Sequence, residues 1–195
     1  TPDRAEFLES CRIALLGLRG RLAAYAEAAE TLMGSEGYHS ETLCQIKENC
    51  DSICHRAPAS FAEALQLVWM IHSCFVYESR YAMAIGRMDQ FLYPFYERDV
   101  AEGRMTQEDA VLLLENVFMK IHERYVMKNE DDVVNICIGG VRPEDGTCAV
   151  NDLSAHQAGM CQTDGVGAGR SGVQTGIHGL GGAAAKHHVD DGTFS

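Results

Sequence analysis

Basic residues are scarce in this 195-residue chain, where 16 lysines and arginines face 28 aspartates and glutamates for a formal charge of −12. So acidic a surface repels phosphate backbones, which argues against a nucleic-acid partner. Long apolar runs are missing as well. No stretch approaches the roughly 18 residues of a helical membrane span. No signal-like segment opens the chain, and a soluble, cytoplasmic protein is expected. Nor does a chain of this length need a disulfide framework. Of eight cysteines, Cys11, Cys44, Cys50, Cys54 and Cys74 lie in apolar helical context, where free thiols pack as small hydrophobes in a reducing compartment. What the chain does have is a hydrophobic content of 46%, enough to close one core at this length.

Apolar periodicity places helices along most of the first 128 residues. Phe7, Leu8, Cys11, Leu15, Leu18, Leu22 and Tyr25 recur at three- and four-residue steps, predicting one helix over 3–33 that Gly34 and Gly37 stop. A second helix is expected over 40–55. Pro58 then breaks the chain, and Ser60 with Glu63 forms a capping box opening a third helix to about residue 78. That helix is apolar nearly all round, so burial on several sides is expected. Another helix is expected from near Arg87 to before Gly103, and Thr106 with Asp109 caps one reaching about Lys128. Val133–Val141 reads as the one convincing strand, with a turn at Pro143-Glu144-Asp145-Gly146 leading to a short return strand.

Composition changes after Ser154. Residues 155–195 hold ten of the nineteen glycines, no proline, tryptophan or tyrosine, and a single phenylalanine. The apolar residues there follow neither period. The reading is therefore a domain over 1–154 and a glycine-rich tail over 155–195, foreign to the fold in the manner of a shifted reading frame and expected to be disordered.

The densest chemistry lies in the run Gly86-Arg87-Met88-Asp89-Gln90-Phe91-Leu92-Tyr93-Pro94-Phe95-Tyr96-Glu97-Arg98-Asp99. Four aromatics around a proline accompany an arginine, an aspartate and an amide, a mixture that a plain core does not need. A buried Arg87–Asp89 ion pair wrapped in rings is expected. The run closely resembles the GRxDQxLYPFYxxD signature of glycyl radical enzymes of the pyruvate formate-lyase type. Two further stretches extend the likeness. Pro58–Gln66 with Trp69 and His72 is similar to the family's PxxFxEALQxxWxxH helix. Ile138-Gly139-Gly140, Asp145-Gly146 and Asn151-Asp152-Leu153-Ser154 resemble its TIGGxxxDG…NxLS elements.

The resemblance implies a mainly α chain with one β-hairpin, an incomplete portion of a ten-stranded α/β barrel from the family's N-terminal half. It implies a parent enzyme that cleaves C–C, C–O or C–N bonds of a small-molecule substrate in an anaerobe's cytoplasm. That parent would carry a protein glycyl radical installed by a radical-SAM activating enzyme, and a homodimer is allowed. The family's reactive cysteine loop and RVxGY-like glycyl loop have no counterpart here. No catalytic residue is therefore assigned, and the chain alone is expected to be inactive. The places five and four before Gly86, polar in relatives that dehydrate small polyols, hold Tyr81 and Ala82. These are the candidate substrate-binding residues, and with Met83, Ala84 and Ile85 they suggest a less hydroxylated or bulkier substrate. Simple packing of Tyr81 and Met83 accounts for them equally well.

Other patterns carry less. Gly167-Ala168-Gly169-Arg170-Ser171-Gly172 spells GxGxxG, but no strand precedes it and no helix follows, so dinucleotide binding is rejected. Cys50 and Cys54, followed by His55, share a helix face as chelation would require, but no third and fourth ligands arrive at metal-site spacing, so no metal or bound cofactor is assigned. His187 and His188 read as solvated. Gln66, Trp69 and His72 read first as a packed indole and a satisfied core histidine, and otherwise as support for the wall of the substrate pocket. Two alternatives to the enzyme reading stay open: a non-catalytic helical interaction module, and a metal carrier built on Cys44, Cys50, Cys54 and His55.

Overall fold

The computed structural model describes residues 2–80, 83–126, 134–163 and 173–178, arranged as two compact units, Thr1–Tyr77 and Glu78–Ser195. The first unit is helical. Helix α1 spans Pro2–Leu32, α2 spans Ser40–His55 and α3 spans Phe61–Tyr77. The α1–α2 turn relies on Gly34 and Gly37, both at positive φ, where a side chain would strain the backbone. Leu22, Ala26, Cys50, Ile53 and Met70 form the shared core, flanked by Leu18, Ile46, Leu67 and Trp69. The apolar stripe of α1 is therefore buried only towards its C-terminal end, while Phe7, Leu8 and Leu15 on the same stripe are exposed. α3 buries Phe61, Leu65 and Met70, yet Ile71, Phe75 and Tyr77 face outward, so it is covered on fewer sides than its composition implies.

The capping box before α3 forms as expected. Ser60 Oγ accepts the Glu63 N–H at 3.2 Å, and the Glu63 carboxylate accepts the Ala59 N–H at 2.7 Å. Arg56 adds a bidentate grip on Glu63 at 2.7 and 2.6 Å, joining the C-terminal end of α2 to the start of α3. Burial alone would raise the Glu63 pKa, but the Arg56 guanidinium and the Ala59 N–H outweigh it and hold the value below the ordinary one.

The second unit departs from the expected single hairpin. Its order is β1 (Met83–Arg87), α4 (Met88–Phe91), α5 (Tyr93–Ala101), α6 (Gln107–Val126), β2 (Val134–Gly139), α7 (Asp152–Thr163) and β3 (Val173–His178). The three strands form one sheet in the order β1-β2-β3 with both pairings parallel. The expected return strand shrinks to one antiparallel bridge, Val141 to Cys148, because a turn closed by Arg142 and Thr147 (2.9 Å) turns the chain back at once. Met83–Arg87, expected as a pocket loop leading into a helix, is a strand. Its register slips between Ala84 and Gly86, a bulge that Gly86 accommodates at φ +89, conformational space largely closed to other residues.

The expected helix from Arg87 is split in two at Leu92, since Pro94 in the first turn of α5 has no N–H to continue the ladder. α6 starts at its expected Thr106–Asp109 box, where Asp109 accepts the Thr106 N–H at 3.0 Å and donates its own N–H to Thr106 Oγ1 at 3.1 Å. Ala110, Leu114, Val117 and Ile121 are its buried face.

Beyond Ser154, regular structure continues where none is expected. α7 crosses that position and ends at Thr163, and β3 pairs in register with the whole of β2. Val173, Thr175 and Ile177 place β-branched residues at alternate positions, a two-residue period obscured by the surrounding glycines. The remaining positions of the expected tail lie outside the described residues.

Candidate functional site

Parallel sheets present their binding groups at the carboxyl ends of the strands, and here the polar signatures meet at that end. β1 runs straight into α4, which delivers Asp89 to the end of β2. Asp89 is fully buried, and its Oδ2 accepts the Gly139 N–H at 2.7 Å and the Gln90 amide at 2.9 Å. The Ser154 hydroxyl donates to the same oxygen. Gln90 also donates to Ala149 O at 2.7 Å, and Asn151 Nδ2 donates to Asp89 O at 2.9 Å.

Asn151 and Ser154 form the cap of α7. The Ser154 N–H donates to Asn151 Oδ1 at 2.9 Å, and the Asn151 N–H donates to Ser154 Oγ at 3.1 Å. One buried carboxylate thus joins α4, the end of β2 and the start of α7. Three donors on one oxygen suit an anionic acceptor, for which each hydrogen bond is stronger than a neutral one.

Arg87 takes a different course from the one expected. Among the described residues it forms no ion pair with Asp89. Its Nη1 instead donates to Val141 O at 3.2 Å, while its guanidinium lies against Gly140. A Cβ at Gly140 would stand 3.2 Å from Arg87 Cζ and Nη2, and Gly140 also sits at φ +98. The positive φ favours glycine there, and a side chain would in addition need the guanidinium to give by a few tenths of an ångström. The bulge at Gly86 and the immediate start of α4 send the Arg87 and Asp89 side chains to different partners. Sequence reasoning missed the roles of Gly139, Asn151 and Ser154 on Asp89. The signal was present in three separately recognised stretches, but nothing local says that they meet.

The other candidates fall elsewhere. Tyr81 and Ala82 lie outside the described residues, as do Gly167, Gly169, Gly172, His187 and His188. Met83 and Ile85 are half-buried and Ala84 is exposed. In the first unit His72 is buried, with its ring 5.9 Å from that of Trp69. Cys50 is fully buried, and burial pushes its thiol pKa up to about 11. Cys54 donates to Arg19 O at 3.4 Å, and Cys44 is exposed. Among the described residues no three His, Cys, Asp or Glu side chains are grouped to hold a metal ion. No described helix is long and apolar enough to cross a membrane.

A short parallel sheet in which a buried carboxylate ties the end of β2 to flanking helices marks the second unit as α/β. The chain belongs to the family described as PFL-like, Pyruvate formate lyase-like, whose model matches residues 1–156. It is 32% identical over 164 residues to the protein named probable dehydratase YbiW of Escherichia coli (strain K12), covering 76% of this chain and 20% of that one. It is 34% identical over 167 residues to the 4-hydroxyphenylacetate decarboxylase glycyl radical subunit of Clostridioides difficile (strain CD196), covering 77% and 18%. Among solved structures, a glycyl radical enzyme from Archaeoglobus fulgidus matches with a TM-score of 0.63 at 27% identity, over 75% of this chain and 20% of that one. The chain thus spans about a fifth of the length of the curated relatives it matches.

Proposed function

We propose that this chain is part of a glycyl radical enzyme that breaks a C–O, C–C or C–N bond of a small organic substrate, built on a ten-stranded α/β barrel to which β1, β2 and β3 would contribute adjacent strands. The observation that carries the reading is the convergence of three family signatures on Asp89, which binds Gly139 and Ser154 across 50 and 65 positions of sequence. Dehydratases and decarboxylases among the relatives support the C–O and C–C classes. In such an enzyme the protein glycyl radical, installed by a radical-SAM activating enzyme, supplies hydrogen-atom abstraction. None of this chain's residues is assigned to carry it, and Cys148 lies exposed on the loop after β2. The role of the chain's own residues is positional: Asp89, Asn151 and Ser154 fix the strand ends where a dry pocket must be kept closed. Tyr81 and Ala82, just before β1, are proposed to line that pocket and to favour a substrate with fewer hydroxyls than a small polyol.

The purified chain should therefore be inactive by itself. Anaerobic incubation with a radical-SAM activating enzyme, read by EPR, is expected to give no glycine-centred doublet. A doublet, or substrate turnover by the chain without a companion polypeptide, would overturn the assignment.

A further inference from the structure

We draw no further inference here: the strongest candidate, the exposed apolar stripe of Phe7, Leu8 and Leu15 on the first half of α1, carries nothing because nothing in the structure shows what covers it.

Discussion

Asp89 sits fully buried with three donors on a single oxygen, so its replacement strands groups that water cannot reach. Asp89→Ala leaves the Gly139 N–H without its acceptor and the Ser154 hydroxyl with only Asn151 Oδ1 at 3.2 Å. At about 1–3 kcal/mol for each buried donor left unpaired, a loss of about 3–5 kcal/mol is expected in urea unfolding. Ser154→Ala should cost about 1–2 kcal/mol, and the double variant less than the sum because both changes remove one shared bond. Strict additivity would show that the two residues act independently. Gly140→Ala meets two penalties, the positive φ and the Arg87 guanidinium 3.2 Å from the new methyl, together about 2–3 kcal/mol. Adding Arg87→Ala should return only the steric part. Thiol reactivity gives another check on the same scale. Cys44 and Cys148 are exposed, whereas Cys50 is buried with its pKa pushed up to about 11, and the thiolate is the reacting form. Iodoacetamide on the folded chain at pH 8 should label the exposed pair and spare Cys50, as read by mass spectrometry. Early labelling of Cys50 would contradict the core described for α1–α3.

The end of α1 and the starts of α3 and α6 were legible because each is written locally. Ser60 with Glu63 and Thr106 with Asp109 lie three residues apart, and the glycines after α1 act where they stand. The start of α3 yields a pH test. The folded pKa of Glu63 lies below its ordinary 4.5, so its contribution is fully present above pH 4.5 and fades as pH falls through the lowered value. Glu63→Gln should cost about 1–2 kcal/mol at neutral pH, a modest figure because Arg56 is half-exposed and screened, and it should flatten the acid limb of the stability profile. An unchanged acid limb would show that the Arg56 grip is not a source of stability. The strands were harder to read. β1 holds a glycine and a bulge within five residues, which erases alternation, so it is a strand because β2 pairs with it. β3 depends equally on β2 and lies among glycines. The Asp89 cluster joins positions 50 to 65 apart, a distance over which no local pattern carries information, so only the resemblance linked those stretches beforehand.

For the molecule as a whole, the decisive property is the division at Tyr77 and Glu78. α1, α2 and α3 close their own core around Leu22, Cys50 and Met70, with Arg56 and Glu63 tying two of them together. Every residue of that core lies in α1, α2 or α3. The join itself is vulnerable: Glu78, Ser79 and Arg80 are exposed, and Ser79 holds a left-handed φ of +58 that a side chain tolerates poorly. Brief trypsin treatment should therefore cut early after Arg80, ahead of the arginines held within helices, whose cleavage requires local unfolding. Purified residues 1–80 should keep a helical circular-dichroism spectrum and melt cooperatively, because Leu22, Ala26, Cys50, Ile53 and Met70 pack on one another. They should also self-associate as concentration rises, since Phe7, Leu8, Leu15, Ile71 and Phe75 remain exposed. A fragment that is unfolded at low temperature and low concentration would show that the helical unit borrows its stability from the rest of the chain, and the two-unit description would have to be abandoned.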